Sequence, residues 1–259
     1  MVSGRRRVTT WVLLRGLTRE SRHWGAFVDT FRAALGGAEV VALDLPGNGC
    51  LNGMRSFTKV ADMVDWCRLE LSARGVPPPY HLLGMSLGAM VAVEWAYAHA
   101  DEVRGGVLIN TSLGQFSPFY RRLRPANYPA LLGLSLLGGS DEEWETTILR
   151  ITSRRAIDTA KVRSSWIAWR HERPVGRSNA LRQLLAAWRY RAPAGRPTVP
   201  ILVLASAQDA LVDPRCSMEI ATRWSATYVE HPTAGHDLPL DDGAWVAKQV
   251  GAWLDSIHA

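Results

Sequence analysis

The chain has 259 residues, of which 47% are hydrophobic and 21% charged; this is the balance of a globular domain with one sizeable core, and it excludes a disordered, fibrous or collagen-like chain. Its 30 Lys plus Arg against 24 Asp plus Glu give a formal net charge of +6, which raises nucleic acid, a membrane surface or an acidic molecule as a partner. Cys50, Cys67 and Cys216 stand far apart with no C-x-x-C pair, so neither a disulfide framework nor a zinc site is indicated, and no apolar run is long enough to cross a bilayer. The expected address is cytoplasmic, with no metal and no integral membrane association.

In chain order, apolar or β-branched runs predict strands near 8–14, 38–43, 80–85, 103–109, 200–205 and 226–230. They alternate with helical patterns, which reads as a parallel sheet with helices on both faces. The basic Arg5-Arg6-Arg7 before the first run imitates a signal peptide, but the apolar stretch is short, is closed by Arg15 and lacks a small-residue cleavage pattern. A mature first strand is the expectation. Val60, Met63, Val64, Cys67 and Leu71 share one helical face opposite Lys59, Asp62 and Arg68, and Gly75 with Pro77-Pro78-Pro79 ends that helix. Residues 87–99 are apolar nearly all round, as suits a helix buried against the sheet. A last helix is expected from about Asp241, as its N-cap, to Ile257.

The alternation breaks between Leu113 and Thr198. No strand-like run occurs there, but Leu181, Leu184, Leu185 and Trp188 form a helical stripe predicted to face the core, with Trp144, Trp166 and Trp169 upstream. We read residues 113–198 as a helical cap, or lid, on a core domain made of 1–112 and 199–259. That segment holds 15 Lys plus Arg and 6 Asp plus Glu, a net +9, which leaves 15 against 18, or −3, for the remainder. The basicity belongs to the cap, which weakens nucleic acid or general membrane binding as its explanation; no nucleic-acid motif accompanies it.

The third strand runs into Gly84-Met85-Ser86-Leu87-Gly88 and then directly into a helix. A G-x-S-x-G turn in that setting is so tight that its outer positions must be small, and its strain lifts the hydroxyl out at the carboxyl edge of the sheet. The helix aims its N-terminal dipole at the same point, where the Leu87 N–H can stabilise an oxyanion. A serine needs a base. His236, in Gly235-His236-Asp237, follows the last strand, and Asp209 follows the fifth, so both project from the same edge in the order Ser, Asp, His. Asp213 competes with Asp209, but its position suits the cap of the following helix. His23, His81, His99, His171, His231 and His258 have no such placement and are read as structural.

With these residues in view, the sequence resembles the α/β-hydrolase fold superfamily along essentially its whole length. Asp44-Leu45-Pro46-Gly47-Asn48-Gly49 is similar to the family's D-x-P-G-x-G turn. Arg15-Gly16-Leu17 stands where the family usually has His-Gly-x, which implies the Leu17 N–H as the second oxyanion donor. The resemblance implies a mostly parallel sheet of six main strands; as only seven residues precede the first of them, the antiparallel hairpin common at the start of the fold is expected to be absent or vestigial. Arg15 is either a solvated loop residue or a guanidinium near substrate that favours an anionic group.

A serine at position 86 argues against the dehalogenase and epoxide hydrolase chemistries of this superfamily, whose nucleophile is Asp. The implied function is a carboxylesterase-type serine hydrolase acting on small-molecule ester or acyl substrates, without a cofactor. The basic cap, with Arg182 and Arg189 on one side of its last helix and an apolar pocket expected from Leu131, Leu132, Leu134, Trp166 and Trp169, resembles in style the lids of members that cleave pimeloyl carrier-protein methyl esters. It suggests an anionic or carrier-linked acyl group and an acidic acyl carrier as partner. A C–C bond hydrolase or lyase, or a ligand-binding homologue of low turnover, remains open on the same fold.

Overall fold

A computed structural model describes residues 10–155 and 159–258; Arg5-Arg6-Arg7 and the first two residues of the expected first strand lie outside them. Six strands, β1 (Thr10–Leu14), β2 (Val40–Leu43), β3 (Tyr80–Met85), β4 (Val103–Ile109), β5 (Ile201–Ser206) and β6 (Thr227–His231), form one sheet in the order β2-β1-β3-β4-β5-β6. Every pairing is parallel. β1, β3 and β5 are buried throughout and β4 nearly so, while the edge strands β2 and β6 are partly open. Strands covered on both faces have no polar side to alternate with, which is why the central runs read as continuous apolar sequence.

On one face lie α2 (Val60–Ala73), α3 (Leu87–Ala98) and α9 (Arg215–Trp224); on the other, α1 (Phe27–Ala34) packs against α10 (Leu238–His258). The five expected residues of α2 are all buried, and the left-handed Gly75 closes that helix through the Val76 N–H donating to the Leu71 carbonyl. Chain order reverses between β1 and β3, since β1 leads outward to β2 and the chain then returns to β3 on the other side. The crevice beyond the carboxyl ends of those two strands is where such sheets hold ligands.

Between β4 and β5 the chain forms α4 (Phe119–Arg122), α5 (Tyr128–Leu137), α6 (Asp141–Thr152), α7 (Thr159–Glu172) and α8 (Arg177–Arg189), with no strand among the described residues. α8 overturns one expectation. Leu181, Leu184 and Trp188 are exposed, at 64%, 44% and 61%, and the buried face carries Asn179, Gln183, Ala186 and Ala187. Hydrogen bonds decide its rotation. The Gln183 amide donates to Asn48 Oδ1 at 2.8 Å and Ser56 Oγ at 3.0 Å and accepts from the Thr18 N–H at 2.8 Å. Asn179 accepts from the Ser56 N–H at 2.9 Å and donates to the Met54 carbonyl at 2.9 Å. An apolar stripe is a preference proportional to area, whereas these loop groups would be buried without partners if the helix turned over.

The last element spans Leu238–His258, but Asp242, at φ −157° and ψ 70°, breaks it into a first turn and the main helix; Asp242 caps the latter by accepting from the Trp245 N–H at 3.1 Å, one residue beyond the expected Asp241. Asp241 is a bracket between segments: its carboxylate accepts from the N–H groups of Gly235, Arg154 and Arg155 at 2.7, 2.9 and 3.1 Å and from the Ser153 hydroxyl.

Candidate active site

The turn between β3 and α3 forces Ser86 into φ 54° and ψ −115°, a conformation an L-residue holds only under constraint. The constraint is close packing. A Cβ on Gly84 would lie 2.4 Å from the Gly88 carbonyl oxygen, and one on Gly88 would lie 2.1 Å from that of Leu14, so neither glycine can carry a side chain. Ser86 is the one position from Tyr80 to Val93 that is not buried, although its backbone is fixed by Ser86 N–H to Ile109 O at 2.9 Å and by the Thr111 hydroxyl donating to Ser86 O at 2.9 Å. Gly16 lies against it: a Cβ there would be 3.2 Å from Ser86 Cβ and 3.7 Å from its Oγ. The Arg15-Gly16-Leu17 loop therefore abuts the serine. Among the described residues, neither the Leu17 nor the Leu87 N–H has a protein partner.

His236 and Asp209 meet at the same sheet edge, with His236 Nδ1 2.7 Å from Asp209 Oδ2 and both residues buried. The other oxygen, Asp209 Oδ1, accepts from the Leu211 and Val212 N–H groups at 2.8 and 2.9 Å, so the carboxylate is held from both sides. Asp213 faces elsewhere: it pairs with Arg215, accepts that residue's N–H at the start of α9, and has its carboxyl held below the usual range by the Arg215 hydrogen bond. No hydrogen bond joins Ser86 to His236 in this geometry.

Two residues of this edge, Asn110 and Asp237, are not assigned a role from the sequence, and a third, Asp241, is read there only as a helix N-cap. Asn110, at φ 45° just beyond β4, donates to the His236 carbonyl at 2.7 Å and to Ser206 Oγ at 2.9 Å, and accepts from the Ser206 N–H. Asp241 holds the Gly235 N–H, as described. Asp237 takes the partner role that a buried Arg15 requires: Arg15 Nη1 and Nη2 lie 3.1 and 2.5 Å from its two oxygens. Arg15 is thus neither solvated nor free for an anionic substrate, being 2% exposed and committed to Asp237. An arginine ending a buried strand calls for a buried carboxylate, and that was the available signal.

The other binding candidates also have assigned contacts. Trp166 and Trp169 pack on His23, each with ring centroids 5.3 Å apart, while Arg19 and Arg22 lie over the two indoles. Thr18, Arg19, Glu20, His23, Glu145 and Trp169 line a small recess there; the expected apolar pocket is not formed by these tryptophans with Leu132, which is exposed. Burial and the nearby arginines, Arg19 foremost, push the His23 imidazole well below its usual pKa, and burial raises that of Glu20. Arg182 donates to the Ser56 carbonyl at 2.5 Å, so it anchors α8; Arg189 is exposed. No cluster of metal-ligating side chains and no helix long and apolar enough to cross a membrane occurs among the described residues.

The profile of the alpha/beta hydrolase family matches residues 11–249, and the chain belongs to that family. It is 26% identical over 264 residues to the biotin biosynthesis bifunctional protein BioHC of Teredinibacter turnerae, a match covering 94% of this chain and 44% of that protein. It is 30% identical over 152 residues to the pimeloyl-[acyl-carrier protein] methyl ester esterase of Chromobacterium violaceum, covering 55% of each. The chain thus spans about half the length of these first curated relatives. Among solved structures, the enol-lactonase from Burkholderia xenovorans LB400 superposes with a TM-score of 0.75 at 19% identity, over 96% of this chain and 92% of that one. The chain is an alpha/beta hydrolase with esterases among its relatives.

Proposed function

We propose that the protein is a serine hydrolase that cleaves carboxylic esters through an acyl-enzyme. The observation that carries this is the strained, solvent-reaching Ser86, with the Gly16 loop packed against it, at the edge where His236 is held by Asp209; the proposed oxyanion donors are the N–H groups of Leu17 and Leu87. In this reading Ser86 Oγ attacks the ester carbonyl while His236 Nε2 takes its proton. The oxyanion is held by the two backbone N–H groups, and Asp209 orients the imidazole and stabilises its cation. His236 then returns the proton to the leaving alcohol, and water repeats the sequence on the acyl-enzyme. Substrate binding must bring Ser86 and His236 into contact, a closure that unliganded sites often leave incomplete. Ser86→Ala is expected to abolish hydrolysis of p-nitrophenyl esters; retained turnover would overturn the assignment. Turnover of C–C substrates with none on esters would favour the C–C hydrolase or lyase, and a single burst without turnover the ligand-binding homologue.

For the acyl group, we favour an anionic or carrier-linked substrate, with the helices of residues 113–198 acting as a cap over the site. Counting Arg173 itself, six arginines and no acidic residue fall from Arg173 to Gln208. On α8 the exposed Arg177 and Arg189 border the outward-facing Leu181, Leu184 and Trp188. Cations flanking an apolar ridge suit an acidic carrier and oppose a second copy of the same basic face. The likeness to the pimeloyl-[acyl-carrier protein] methyl ester esterase supports the same reading. Reversing Arg177 and Arg189 to Glu is expected to raise KM for a carrier-linked ester about tenfold, and to do so less at high salt, while p-nitrophenyl ester turnover is unchanged. Equal effects on both substrates would refute the preference.

A further inference from the structure

The Arg15–Asp237 pair takes no step in the proposed chemistry, yet it joins the two loops that chemistry needs. Arg15 opens the loop that carries Gly16 and the Leu17 N–H, and Asp237 is the residue after His236, 222 positions away in sequence. Both are 2% exposed. The guanidinium meets the carboxylate with two parallel contacts, Nη1 also lies 3.6 Å from Met85 Sδ, and the group stacks 4.7 Å from the Trp24 ring centroid. A buried ion pair brings little net stability over apolar residues of the same volume, so stability alone does not account for one built on the residue that follows His236.

We infer that Arg15 and Asp237 are positioning residues that hold the oxyanion loop in register with the His236 loop and, by cancelling each other's charge, leave Asp209 as the carboxylate that His236 senses. This rests on the acyl-enzyme reading above. The other titratable or charged groups facing this loop are Asp241, already shared among four donors, Arg154, whose side chain lies against Gly235 but donates to the carbonyls of Arg150 and Ser153, and His231, whose Nδ1 accepts from the Thr233 and Ala234 N–H groups and whose Nε2 lies against Arg155 and Asp242. None of these hydrogen bonds involves Arg15 or the Asp237 side chain. Breaking the pair from either side should then act on His236 with opposite sign. Without Arg15, the lone carboxylate of Asp237 favours the imidazolium; without Asp237, the lone guanidinium opposes it.

The test is a pH titration of the His236 ring by NMR, its signal assigned with His236→Gln, alongside the pH profile of kcat/KM on p-nitrophenyl butyrate. Arg15→Met is expected to move the His236 midpoint and the acid limb upward by about half a pH unit or more, and Asp237→Asn downward by a similar amount. The double variant R15M/D237N should return close to the wild type. Arg15→Lys keeps the charge but loses the fork, so the midpoint should stay while kcat falls about tenfold with KM little changed. Singles that shift the midpoint in the same direction, or by less than about 0.2 unit, overturn the inference. If Arg15→Met does not fold, Asp237→Asn and the double variant carry the same sign test, because arginine does not deprotonate. A wild type that does not turn over esters, or whose turnover survives Ser86→Ala, refutes the ester-hydrolase reading, whereas the NMR midpoints judge the pair independently.

Discussion

Replacing Gln183 by leucine tests the unexpected rotation of α8. Gln183 is fully buried and makes three hydrogen bonds, to Asn48, Ser56 and the Thr18 N–H. Their loss costs about 3 kcal/mol at about 1 kcal/mol each, and stranding the buried Asn48 and Ser56 oxygens adds about 1–3 kcal/mol. Burying a leucine side chain returns about 2 kcal/mol. The expected net loss is about 2–4 kcal/mol, measured by urea unfolding followed by circular dichroism. The paired control is Leu184→Asp, which places a charge on the outward stripe and is expected to change stability by less than about 0.5 kcal/mol. If Leu184→Asp destabilised by several kcal/mol while Gln183→Leu was neutral, the leucines would be the buried face and the amide latch would be wrong.

Two further outcomes follow from the site. Asp209→Asn should lower kcat by about 10³–10⁴-fold by spoiling the imidazole's tautomer and its charge partner, whereas Asp213→Asn should leave kcat within a few-fold; steady-state kinetics with the ester substrate separate the two. His23 is neutral in the fold because burial depresses its pKa, so its contribution is complete above the unfolded value near 6.5 and declines as pH falls below it. The decline is at most about 1.4 kcal/mol per pH unit, and His23→Gln should flatten that part of the stability profile between pH 6.5 and 5; an unchanged slope in urea unfolding would contradict it.

The sheet was legible from sequence because each strand had to be apolar on both faces, and the Ser86 turn was legible because tight packing permits only glycine at positions 84 and 88. The order Ser, Asp, His along strand ends located the His236–Asp209 contact for the same reason: strand ends in a parallel sheet share one edge. What failed was inference from a single helix. Periodicity placed Leu181, Leu184 and Trp188 in the core, and it could not show that loops 120 or more residues away would present buried donors and acceptors to Asn179 and Gln183. Arg15 was misjudged for a similar reason, since its partner lies at the far end of the chain and only the fold brings Asp237 to it. Trp166 and Trp169 were expected to line an apolar pocket, yet the arginines and His23 with which they stack come from the segment after β1.

The central claim is that Ser86 is an activated nucleophile, and the most direct measurement is reaction with a fluorophosphonate followed by peptide mass spectrometry. The account predicts stoichiometric modification of Ser86 alone, slowed by about 10³-fold or more in His236→Gln because the base is gone. Labelling at another residue, or none on folded protein, would contradict it.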